Sequence, residues 1–132
     1  MRNTVLVVDD RPDARYSIGH PLATAGFDVR ETATGREALR LARLQVDAIV
    51  LDLVLPDMNG YDVLRKLRDD PATQNIPVIL KTGVYLEEGH RQVALEAGAA
   101  EYFAEPFDTQ ALVKTVRRVL DEGRPPGSPS ES

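Results

Sequence analysis

The chain has 132 residues, enough for one domain with a core of its own. It holds no Cys, no Trp, four Tyr and three Phe, which excludes disulfide frameworks and thiolate metal sites and leaves base-stacking platforms poorly supplied. Sixteen Lys and Arg against twenty-one Asp and Glu give a formal charge of −5, the wrong sign for a non-specific nucleic-acid binder, and 42% hydrophobic residues argue against disorder.

In chain order, Val5 to Val8 is a short, continuous apolar run of the kind buried on both faces of a parallel sheet. Asp9 and Asp10 follow it directly. Ala14, Ile18, Leu22 and Ala25 form a first helical face, in which Gly19 and Pro21 predict a kink or local break. Gly26 stands where a helix C-cap is wanted, ahead of a short strand over Phe27 to Arg30. A weaker helical face follows on Ala38, Leu41 and Ala42. Ala48 to Leu51 is the next buried run, with Asp52 after it. Pro56 and Gly60 shape the following loop, Gly60 through its access to positive φ, while Asp57 and Asn59 read as turn and helix-cap residues. Val63, Leu64 and Leu67 share a helical face, and Ile76 to Leu80 gives the fourth strand. Val93, Ala94 and Ala97 form a weak helical face, Gly98 caps it, and Ala100 to Ala104 is the fifth strand. Leu112, Val113, Val116, Val119 and Leu120 complete the pattern as a 3.6-period stripe. Beside that stripe, Lys114, Arg117 and Arg118 stand among Asp108, Asp121 and Glu122, which reads as a solvated helix face.

Five β-then-α units predict an α/β fold, a doubly wound parallel sheet with helices on both faces. The domain is expected over residues 1–121, with 122–132 a flexible tail or linker of Pro, Gly and Ser composition, suited to a further domain or to a free end. The longest apolar stretches, such as Ala48 to Leu55, are too short to cross a bilayer, and no signal-peptide pattern opens the chain, so a cytoplasmic location is expected.

In an open parallel sheet, functional groups collect at the carboxyl ends of strands near the point where strand order reverses. With strand order 2-1-3-4-5, strands one and three flank that point, and Asp9, Asp10 and Asp52 converge there. Three carboxylates this close disfavour ionisation unless a cation relieves them, and hard oxygen donors suit Mg²⁺.

Four motifs then carry a resemblance: VLVVDD at 5–10, VLDLVLPDMNG at 50–60, PVILKTG at 77–83 and GAAEYFAEPF at 98–107. From residue 4 to about 120 the chain resembles the receiver domain of bacterial two-component response regulators. The resemblance implies a flavodoxin-like (βα)5 fold in three layers, and a phosphoryl group accepted on Asp52 from a histidine kinase. It makes Asp9 and Asp10 Mg²⁺ ligands together with Asp52, Asp9 acting through water, and adds the backbone carbonyl of Val54. It gives Thr82 a bond to the phosphoryl group and Tyr102 the place of the aromatic switch. A carboxylate is a workable nucleophile for a covalent phospho-intermediate, and transfer then depends on in-line positioning and charge neutralisation. The implied partners are a sensor histidine kinase or phosphotransfer protein, an output protein or domain, and a second copy of the chain, with no direct contact to nucleic acid or membrane. The chain would not be an enzyme beyond catalysing its own phosphoryl transfer and dephosphorylation.

The sequence departs from the family at one position. The family carries lysine before the proline of the last motif, and this chain has Glu105. An acid there works against a phosphate dianion. Lys81, beside Thr82, is the candidate replacement, a cation moved one strand over to pair with Glu105 at rest. Strand alternation weighs against it, since Lys81 and Thr82 leave the strand on opposite faces. The competing reading is a degenerate receiver acting as a phosphate-independent interaction module. A Mg²⁺-dependent phosphatase is disfavoured, because Val54 occupies the position two residues after Asp52 where a second aspartate is needed.

Overall fold

A computed structural model describes residues 2–83 and 90–122. Five strands alternate with five helices: β1 (Thr4–Val8), α1 (Pro12–Thr24), β2 (Asp28–Thr32), α2 (Gly35–Ala42), β3 (Ala48–Asp52), α3 (Gly60–Asp69), β4 (Val78–Thr82), α4 (His90–Glu96), β5 (Glu101–Ala104) and α5 (Thr109–Glu122). The strands form one parallel sheet in the order β2-β1-β3-β4-β5. This is the three-layer (βα)5 architecture expected of the five units.

Every residue of β1, β3 and β4 is buried, because alternate side chains enter two separate cores. Leu6, Val8, Ile49, Leu51, Val78 and Leu80 pack with α2, α3 and Ala94 of α4. Val5, Val7, Ala48, Val50 and Ile79 pack with α1 and α5. The edge strands β2 and β5 are more polar and partly exposed, which suits strands with one unpaired side.

Several boundaries differ from the sequence pattern, each for a local reason. Strand β2 starts at Asp28, because the Phe27 N–H still bonds to Leu22 O at 3.1 Å and closes the end of α1. Strand β4 starts at Val78, after Pro77, which has no N–H to give the ladder, and it runs on to Thr82. Asp52 belongs to β3 as its last residue. Helix α1 passes through Pro21 without the expected break, held by Ala14, Ile18 and Leu22 in the core. The expected face of α4 is not formed: Ala94 is buried, but Val93 is 52% exposed, and Ala97 lies exposed beyond the helix.

Positive φ occurs at Gly26 and Gly98, where the cap positions were expected, and at Gln45, but not at Gly60. Gly60 is required by proximity instead: a Cβ there would lie 2.7 Å from the Asp52 carbonyl oxygen. Asn59 Oδ1 accepts the Tyr61 N–H at 2.7 Å and caps α3. Asp57 caps a different helix, accepting the Gly35 and Arg36 N–H groups of α2 at 2.8 and 2.9 Å. Arg117 donates to Ala25 O at 2.9 Å and lies over the Phe27 ring, while Arg118 pairs with Glu101 and Glu122. Those α5 cations are engaged within the fold. No helix among the described residues is long and apolar enough to cross a membrane. Of the expected tail, residues 123–132 lie outside the described residues.

Candidate functional site

The carboxyl ends of β1 and β3 sit side by side, Val8 opposite Leu51. The residues that follow bring Asp9, Asp10 and Asp52 together, with a carboxylate oxygen from each within 4.8 Å of the others. Asp9 is fully buried, Asp52 is 5% exposed, and Asp10 faces solvent. Such a cluster of hard oxygen donors can hold a divalent metal ion.

The two buried acids are tied differently. Asp9 has both oxygens engaged: Oδ1 accepts the Arg11 N–H at 2.9 Å, and Oδ2 contacts the Lys81 ammonium. Its backbone carbonyl accepts from Arg15 Nη1 at 2.6 Å. Among the described residues Asp52 accepts only a long bond from the Val54 N–H, 3.3 Å, at Oδ1. Burial pushes the Asp52 carboxyl up to about 6, helped by Asp9 and opposed by Lys81, the Val54 N–H and Arg11. Burial thus makes the Asp52 carboxylate more basic than that of an exposed aspartate.

Among the described residues Lys81 is the largest fully buried side chain, enclosed at the end of β4. It stands opposite Asp52 in the β3–β4 register. Its Nζ also lies 3.2 Å from Glu105 Oε1. Glu105 in turn receives Arg11 Nη2 at 3.3 Å and lies over Gly83, where a Cβ would come 2.7 Å from Oε2. Two acids and two cations thus interlock beside Asp52.

Thr82 is fully buried at the end of β4, and its carbonyl accepts the Glu105 N–H at 2.8 Å. Tyr102 stands opposite Leu80 and packs on the α2–α3–α4 side of the sheet. Its phenol oxygen, like that of Tyr61, is buried without a hydrogen-bond partner among the described residues. Val54 is mostly exposed and bridges to Asn59, which shapes the loop around Asp52.

The strand-end pattern brought out the three aspartates, and the family resemblance brought out Thr82, Tyr102 and the departure at Glu105 with Lys81, but neither brought out Arg11 or Arg15. Both cations had a signal available: Arg11 directly follows the acid pair, and Arg15 is one helical turn further along α1. The Lys81–Asp9 contact, across 72 positions, had none.

A family model for the response regulator receiver domain matches residues 5–117. Over 117 residues the chain is 35% identical to the DNA-binding dual master transcriptional regulator RpaA of Synechocystis, covering 88% of this chain and 48% of that protein. It is 33% identical to Protein PilH of Pseudomonas aeruginosa, covering 88% of this chain and 96% of PilH. The chain thus spans about half of the first relative and nearly all of the second. Among solved structures, a receiver domain of the sensor histidine kinase PA1611 from Pseudomonas aeruginosa superposes with a TM-score of 0.81 at 32% identity, over 92% of this chain and 99% of that one. That structure has a magnesium ion coordinated in its active-site cleft.

Proposed function

The chain belongs to the response regulator receiver family, and on that premise we propose that it takes a phosphoryl group onto Asp52 from a histidine of a sensor kinase or phosphotransfer protein. The observation that carries this reading is the convergence of Asp9, Asp10 and Asp52, with Asp52 the least hydrogen-bonded of the two buried acids. In the transfer, an Asp52 carboxylate oxygen forms a bond to phosphorus. The N–P bond of the phosphohistidine breaks, and its electron pair stays on the imidazole nitrogen.

Asp9, Asp10, Asp52 and the Val54 carbonyl would hold Mg²⁺. Both Asp9 oxygens already have protein partners, which suits a role through water. When bound, the ion supplies charge neutralisation for the phosphoryl oxygens. Thr82 donates its hydroxyl to a phosphoryl oxygen. Tyr102, whose phenol has no hydrogen-bond partner among the described residues, gains one by turning toward the space that Thr82 leaves. The resulting change of surface is passed to an output protein or to a second copy of the chain. Sedimentation with and without beryllofluoride separates those two recipients.

The test is intact mass after incubation with Mg²⁺ and acetyl phosphate. The parent gains one phosphoryl mass, and Asp52→Asn gains none. A folded parent that takes no adduct from any small donor overturns the reading in favour of a phosphate-independent interaction module.

A further inference from the structure

Lys81 sits where packing alone asks for an aliphatic residue. It lies in β4 on the same face as Ile79, between Asp52 on one neighbouring strand and Phe103 on the other, and its side chain is 1% exposed. A buried ammonium carries a heavy desolvation cost unless it is paired and hydrogen-bonded. Here the pairing is with Asp9 Oδ2 and, at 3.2 Å, with Glu105 Oε1. A valine or isoleucine would fill the strand position without that cost. The charge therefore has a use that packing does not supply.

We propose that Lys81 is the cation that neutralises the phosphoryl group on Asp52, acting from β4 in place of the lysine that the family carries at the position of Glu105. Glu105 is its resting anchor. This rests on the reading of Asp52 as the phosphoacceptor. Alternation separates Lys81 from Thr82 along β4, but both stand at the carboxyl end of that strand, beside the end of β3 at Asp52, and of the two it is Lys81 that is in register with Asp52. Residues in register on adjacent parallel strands leave the sheet on the same face, and Asp52 and Lys81 are in register.

The charge balance supports the assignment. Before transfer the Asp52 carboxylate carries one negative charge. When its oxygen bonds to phosphorus, that charge is lost and a dianionic phosphoryl group takes its place, so one extra negative charge is left in a buried site. An ammonium has three N–H donors. Asp9 and Glu105 take two of them, and the third, which has no acceptor among the described residues, can reach a phosphoryl oxygen without the release of Asp9. Arg11, 3.3 Å from Glu105, holds the anchor carboxylate in place while Lys81 shifts its weight to the new anion.

The assignment is tested with the parent, Lys81→Met, the double variant Lys81→Met with Glu105→Lys, and Asp52→Asn. Each is incubated with Mg²⁺ and acetyl phosphate and followed by intact mass, with a thermal melt for every protein. Loss of one fixed donor to developing charge slows a reaction on the order of a hundredfold, and that drop is expected for Lys81→Met. The double variant, with its ammonium on the other side of the same pair, recovers to within about tenfold of the parent. A folded Lys81→Met that phosphorylates at the parental rate overturns the assignment.

If Lys81→Met fails to fold, a parental experiment decides. The chain has three lysines, Lys66, Lys81 and Lys114, so ¹⁵N-labelled Nζ signals are assignable through Lys66→Arg and Lys114→Arg. The Lys81 signal is expected to shift when beryllofluoride and Mg²⁺ are added, and an unmoved signal overturns the assignment. A parent that takes no phosphoryl group, or an adduct that survives Asp52→Asn, defeats the underlying reading as well. A parent phosphorylated at Asp52 with Lys81 indifferent defeats this inference alone.

Discussion

At Gly60 the start of α3 lies close against the backbone at the end of β3, and replacing it with alanine sets two effects of opposite sign against each other. As the first residue of a helix, alanine should gain up to about 1 kcal/mol over glycine from its lower conformational entropy in the unfolded chain. Against this, the new Cβ would lie 2.7 Å from Asp52 O and 2.8 Å from Leu53 Cα. Both are main-chain atoms of a buried segment and cannot rotate aside. The Gly60 N–H is also bonded to Leu53 O at 2.7 Å, so the two segments cannot drift apart without losing that bond. Overpacking of this kind costs about 1–3 kcal/mol, and the net expectation for Gly60→Ala is a loss of about 1–2 kcal/mol. Urea unfolding measures it as a lower midpoint at unchanged slope. Because the displaced carbonyl belongs to Asp52, phosphorylation by acetyl phosphate should slow as well. A variant as stable as the parent, or more so, would refute the claim that main-chain contact, and not helix propensity, governs this position.

Asp57→Ala should cost about 1 kcal/mol at neutral pH, since it removes the carboxylate that accepts two N–H groups at the start of α2. The Gly35 N–H and then the Arg36 N–H hold that carboxyl below its usual range, so its contribution is complete above the unfolded pKa and lost as pH falls through the lower folded one. Urea midpoints of parent and variant should therefore converge in acid, and a gap that persists there contradicts the cap. Arg68→Met should cost about 2–4 kcal/mol, because the guanidinium donates to Gln74 O, Ile76 O and Gly98 O at 3.1, 2.8 and 2.9 Å. A loss below about 1 kcal/mol would mean that water replaces those donors without penalty.

Much of this molecule is legible in its sequence because the central strands are apolar along their whole length. Val5 to Val8, Ala48 to Leu51 and Ile76 to Leu80 read as strands covered on both sides, and glycine caps at Gly26 and Gly98 mark where helices stop. The three aspartates follow from the position of strand ends. What stays hidden is register. Lys81 can be compared by pattern only with its chain neighbour Thr82, whereas its neighbour in space is Asp52, set by a β3–β4 pairing that no local pattern encodes. The same applies to Gly60, whose need for a missing Cβ comes from the end of a strand eight residues away, and to Val93, whose periodic position in a seven-residue helix does not secure burial.

The last two residues of β4 have a mechanical consequence. Lys81 belongs to the layer of α1 and α5, and Thr82, one peptide further, belongs to the layer of α2, α3 and α4 where Tyr102 packs. On the proposed role of Lys81, a change of charge on one face of the sheet would reach the other along one Cα-to-Cα step. Such a step would couple the two helical layers through β4 itself, without any helix sliding past another.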